Sequence, residues 1–182
     1  MINAHKKRAI SGARAIALVG ITAATVECGK LALAALPNIE IVTLLVALYG
    51  YVFGWYGVAS AVVFVSIEPL IYGFGTWLPA YFIYWPLVAV VFMLLRRAKI
   101  KNRWILTAAA VGLTVFFGVL TSLIEVGLFS GGFDNFLYRF AIYYARGIVF
   151  YAVQIGCNAL LFPLLFNYLA DKLSIIRQKV MK

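Results

Sequence analysis

Eight ionisable side chains stand in or beside stretches that are otherwise apolar: Glu27, Lys30, Glu40, Glu68, Glu125, Asp134, Arg139 and Arg146. A charge inside a membrane segment is costly and faces an interior, a partner or a water-filled cavity. Three positive and five negative groups give this set a formal charge of −2. Tyr72, Trp77, Tyr81, Tyr84, Tyr138, Tyr143, Tyr144 and Tyr151 fall in the same regions. Tyr and Trp also populate membrane interfaces, so an aromatic belt accounts for part of the set. The rest, with loop glycines and the charges, suits the wall of a pocket for a ring-containing ligand.

Catalysis has little to work with. The sequence contains no GxxxxGK[ST] and no GxSxG, so neither phosphate-loop ATP binding nor a hydrolase serine is expected. His5 is the one histidine, in a basic tail, so no metal site is expected. Glu68 and Glu125 are more simply partners for Lys30, Arg139 or Arg146 than a proton relay. Neither an enzyme nor a cofactor is expected.

The elements that must hold these residues follow from composition. Of 182 residues, 65% are hydrophobic and 12% charged, against roughly 45–50% and 25% in soluble domains. At about 20 residues per crossing, the apolar stretches have room for about six transmembrane helices. The breaks at Pro37-Asn38, Gly54 to Gly57, Gly73 to Gly75 before Pro79, and Ser130 to Gly132 place them at about 9–35, 41–53, 57–72, 79–96, 104–129 and 138–170. The second is short for a span. The expectation is a single all-α, multi-pass integral membrane domain over 1–182, in a cell membrane, with no cleavable signal peptide.

Of the 16 basic residues, 13 lie in three clusters. These are Lys6, Lys7, Arg8 and Arg14; Arg96, Arg97, Lys99, Lys101 and Arg103; and Lys172, Arg177, Lys179 and Lys182. Even numbers of crossings separate them, so the positive-inside rule puts all three, and both termini, in the cytoplasm. The net charge of +10 is thus a topology signal with anionic-lipid contact rather than a nucleic-acid surface. Cys28 and Cys157 lack metal or redox spacing and are expected as buried thiols. Ala9, Ala13 and Ala17, followed by Gly20 and Ala24, form a small-residue strip that admits a close helix neighbour. That neighbour is in the same chain or in another protein.

Several stretches resemble the substrate-binding S-components of energy-coupling factor (ECF) transporters, a class of ABC transporter. The run Leu36 to Leu45 (LPNIEIVTLL) with the Gly54 to Gly57 turn is similar to the family's second-helix entry. Tyr72 to Trp77 (YGFGTW) resembles the glycine and tryptophan loop of a cobalamin-linked branch, and Arg146-Gly147 through Asn158 resembles the last-helix pattern. The resemblance implies a vitamin-capture subunit of an uptake system in a bacterial plasma membrane. It implies ligand binding at the outer face by residues such as Asn38, Glu68, Tyr72, Trp77, Tyr143, Arg146 and Asn158. It also implies docking through Ala13 and Ala17 onto a transmembrane scaffold driven by two cytoplasmic ATPase subunits. Cobalamin suits glycine-rich loops, tyrosines and the amides Asn38, Asn135, Gln154 and Asn158. Folate, riboflavin, thiamin and pantothenate stay open as cargo, and a membrane assembly subunit or a small membrane enzyme stays open as the role.

Overall fold

A computed structural model describes residues 12–36, 38–130 and 134–180. Those residues form helices and turns, with no strand among them. The helices are α1 (Gly12–Ala32), α2 (Val42–Phe53), α3 (Trp55–Tyr72), α4 (Leu78–Arg97), α5 (Arg103–Ile124), α6 (Phe136–Leu161) and α7 (Asn167–Val180). Two π-helical turns, Glu125–Phe129 and Phe162–Phe166, extend α5 and join α6 to α7. By length and composition, five helical segments are able to cross a membrane. They are α1, α3, α4, α5 with its π-turn, and the continuous Phe136–Val180 segment.

The twelve residues of α2 rise only about 18 Å at 1.5 Å per residue, well short of a hydrocarbon core of about 30 Å. The structure accommodates this by enclosing the helix: every α2 residue except Leu45 is buried, against α1, α3, α4 and α7. Two glycines permit the tightest contacts. A Cβ on Gly50 would overlap the Ala89 backbone of α4, and one on Gly57 the Tyr49 backbone. The core continues through the edge-to-face or tilted rings of Phe64, Trp85, Tyr84 and Phe117, and through Phe92, Phe162 and Phe166 toward the other end.

The turn between α2 and α3 is Gly54 alone, at φ 64°, a left-handed backbone that glycine adopts without strain. The four-residue turn over 54–57 expected from the sequence is corrected accordingly: Trp55 and Tyr56 already belong to α3. α1 ends at Ala32, and Leu33 to Ala35 form tight turns instead of continuing the helix. The last helix runs beyond residue 170, because the chain from Asn167 to Val180 contains no breaker and Pro163 is absorbed by a π-turn. Its 45 residues amount to roughly 67 Å of helix, so its polar last turns with Lys172, Arg177 and Lys179 overrun any bilayer core.

α1 and α6 lie at the periphery. Ala13, Ala17, Gly20 and Ala24 are all exposed, and Ile16 and Ile21 beside them are 75% and 64% exposed. The strip therefore faces away from the bundle. Cys28, one turn further on, is exposed too, which corrects the expectation of a buried thiol; Cys157 is half-buried, and both are free thiols. Ala9, Pro37, His5, Lys6, Lys7, Arg8, Lys182, Gly131 and Gly132 lie outside the described residues.

Candidate functional site: two cavities at the end opposite the α4–α5 turn

Loop geometry places the first wall. Gly73 leaves α3 at φ 78°, and the indole of Trp77 folds against Gly75 so closely that a Cβ there would collide with it. Trp77 then meets Tyr81 edge-on, with ring centroids 4.8 Å apart, and Tyr81 meets Trp85 in the same way at 5.8 Å. Opposite, Tyr151 is seated over Gly118 and Gly147, where added side-chain carbons would strike its ring. Its hydroxyl reaches Thr121 Oγ1 at 3.3 Å.

Between these walls, α4, α5 and α6 enclose a cavity of about 430 Å³. Trp77, Tyr81, Phe117, Phe150 and Tyr151 give it aromatic sides; Glu125, Tyr143 and Arg146 give it polar ones. Glu125 opens the π-turn that ends α5. Such turns re-aim side chains and recur at functional sites. Neither the Glu125 carboxylate nor the Arg146 guanidinium makes a hydrogen bond or ion pair with another described side chain. Opposite charges that share a cavity without pairing leave donors and acceptors for a guest.

A second cavity of about 220 Å³ lies beside it, with Tyr81 and Phe150 lining both. Lys30, Asn38, Glu40, Tyr72, Trp85 and Gln154 contribute to its wall. Lys30 forms an ion pair with Glu68, which is 1% exposed, and its ammonium lies 4.1 Å from the centre of the Tyr72 ring. Ion pairing and the ring face together offset the desolvation of the amine. Glu27, one turn before Lys30, faces the same pair. Both of its oxygens, and Oε1 of Glu68, are buried without a hydrogen-bond partner.

Behind the second cavity sits a polar node around Asn158, whose Oδ1 is itself buried without a hydrogen-bond partner. Glu40 Oε2 accepts from the Thr43 backbone N–H at 2.8 Å, in the first turn of α2, where the helix dipole favours a carboxylate. Its Oε1 accepts from Asn158 Nδ2 at 2.9 Å, and the same amide donates to Thr114 Oγ1 at 3.0 Å.

The seven residues expected at a ligand site thus divide. Trp77, Tyr143 and Arg146 line the larger cavity. Asn38 and Tyr72 line the smaller, and Glu68 lies beneath it, holding Lys30. Asn158 lines neither: it is fully buried and joins α6 to α5 and to the segment before α2. Sequence reasoning missed Phe117 and Phe150, since a phenylalanine in an apolar helix carries no sign of which face it serves. Glu125 and Lys30 were visible as isolated charges, and the structure puts each on a cavity wall. Among the described residues, no cluster of three or more potential metal ligands forms. Compared with known proteins, the chain matches no family model, no curated protein and no solved structure.

Proposed function

We propose that this chain is the substrate-capture subunit of an ECF-type vitamin uptake transporter, embedded in a cell membrane with both termini on the cytoplasmic side. The observation that carries the reading is the cavity between α4, α5 and α6. It combines five aromatic walls with an unpaired carboxylate and an unpaired guanidinium. A cavity of this kind binds a ring-bearing, polar small molecule; about 300–1,000 Å³ is the usual range for such sites. In this reading α2 counts as the sixth crossing, completed by the loops at its ends, and the cavities open outward. The small-residue face of α1 is the surface that docks on the transmembrane scaffold, where exposed alanines and glycines admit a second helix at close range. Energy comes from two partner ATPase subunits.

Cavity size bears on the cargo. A vitamin of one to three fused rings, such as riboflavin or the pterin end of folate, suits the larger cavity as it stands. Cobalamin, the cargo of the branch whose glycine and tryptophan loop is most similar, exceeds it and requires the two cavities to join. Tyr81 and Phe150, which line both, are the side chains that would swing aside.

Calorimetric titration of the purified protein with cobalamin, riboflavin, folate, thiamin and pantothenate tests this. One-to-one binding of any of them, weakened about tenfold or more by Trp77→Ala or Arg146→Ala, is the expected result. A folded sample that binds none would remove the capture role.

A further inference from the structure

We infer that the opposite end of the bundle carries a binding site for a phosphate group, presented by an anionic phospholipid headgroup, between the α4–α5 turn and α7. The inference needs the chain to lie in a bilayer and is independent of any vitamin.

The site starts from a turn held in one shape. α4 ends in a Schellman motif: Lys99 N donates to Arg96 O at 2.9 Å and Ile100 N to Leu95 O at 3.0 Å, with Lys99 left-handed at φ 60°. Asn102 then caps α5 by accepting from Trp104 N at 2.9 Å. Two side chains from elsewhere pin the backbone between those caps. The Tyr51 hydroxyl donates to Ile100 O at 2.9 Å, and Asn167 Nδ2 donates to Lys101 O at 3.1 Å. The cavity so framed measures about 320 Å³.

Its charge is unbalanced. Arg96 and Lys101 line it against a single carboxylate, Asp171, which pairs with neither. The Arg96 guanidinium stacks 4.9 Å from the Tyr51 ring centre and reaches Ser174 Oγ at 3.4 Å. Stacking occupies its face and leaves edge N–H groups for the forked contact that phosphate oxygens accept. The Lys101 side chain is exposed and makes no hydrogen bond or ion pair with any described residue.

Depth selects a lipid as the source of the phosphate. Trp104 lies three residues past Lys101 and Tyr168 next to Asn167, and Lys101 and Asn167 both line the cavity. Each aromatic is 62% exposed, with Arg103 5.3 Å from the Trp104 ring and Lys172 5.5 Å from that of Tyr168. Exposed Trp and Tyr beside cations mark the water boundary of a bilayer, where headgroup phosphates lie. Ile105 on α5 and Leu164 in the π-turn before α7, both exposed on the bilayer side of Trp104 and Tyr168, offer apolar surface for the acyl chains.

Native mass spectrometry of the delipidated protein tests the site, with phosphatidylglycerol, phosphatidylcholine and inorganic phosphate as separate probes. The expected result is one retained phosphatidylglycerol, favoured about tenfold over phosphatidylcholine. Lys101→Gln, whose side chain supports no fold contact, should erase that preference, and Arg96→Gln should do the same if it folds. The double variant Arg14→Gln with Lys179→Gln removes twice the charge of Lys101→Gln, away from the cavity, and should stay within about twofold of the parent. Equal retention of the two lipids, or an unchanged preference in Lys101→Gln, overturns the site. Loss of preference in the distant double variant overturns it as well, in favour of net charge alone. Retention of inorganic phosphate that blocks phosphatidylglycerol overturns the lipid assignment and identifies a soluble phosphate ligand.

Discussion

α1 and α2 are both apolar helices, and the bundle treats them in opposite ways. α2 is enclosed on nearly every side, while α1 buries only Thr22, Ala23, Val26 and Glu27 and turns Ala13, Ala17, Gly20 and Ala24 outward. Hydrophobicity alone therefore does not tell which helix is core. In a bilayer a lipid-facing and a protein-facing surface are equally apolar, so side-chain size and the placement of polar anchors carry the distinction. α1 adds polar anchors to its buried Ala23 and Val26: Thr22 to Ser60 at 2.6 Å, Thr25 to Tyr49 at 2.6 Å, and Lys30 to Glu68. α2 is held by close backbone approach at Gly50 and Gly57.

The largest effect should come from breaking that approach. Gly50→Leu forces a side chain into the Ala89 backbone and should cost about 3 kcal/mol or more, read as loss of folded protein in a thermal melt in detergent. Gly20→Leu, with nothing within 4 Å of its added Cβ, should leave the melt unchanged or raise it slightly, by up to about 1 kcal/mol of helix propensity. Equal damage from the two substitutions would contradict the contrast between α2 and α1. Next in size is Glu68→Gln, which strips Lys30 of its buried partner. With Lys30 27% exposed, the cost should be about 2 kcal/mol, checked by the same melt. Thr22→Val removes the bond to Ser60 and should cost about 1 kcal/mol.

Helix placement was legible where glycine and proline punctuate apolar runs, and the misreadings have physical causes. Gly54 and Gly57 look in sequence like two ends of one turn. Only Gly54 turns the chain; Gly57 is small because the α2 backbone passes against it. The last helix was expected to end near residue 170, and it runs on to Val180 because nothing from Asn167 onward breaks it. At the site, Trp77, Tyr143 and Arg146 stood among the seven residues that the resemblance implied, and the structure brings these three to the walls of one cavity. Asn158 stood among the seven as well and lies elsewhere: its partner Glu40 is 118 residues away, and no spacing reveals such a pairing. Nor does composition say that Glu125 and Arg146 share a cavity without meeting.

A smaller effect sharpens the contrast chemically. A membrane-permeant maleimide should label Cys28 on the outward face of α1 faster than the half-buried Cys157 of α6, followed by intact-mass spectrometry. Comparable rates would mean that α1 is covered by the bundle.

The proposed division of labour, a cavity that captures and a helix face that docks, is tested most directly by the double variant Ala13→Trp with Ala17→Trp. Both positions are exposed, so the substitutions leave the cavity walls in place. Uptake of the calorimetrically identified vitamin by cells carrying the partner subunits should be abolished, while the purified variant binds that vitamin with unchanged affinity. Normal uptake would contradict docking through α1, and lost binding would contradict the separation of the two surfaces.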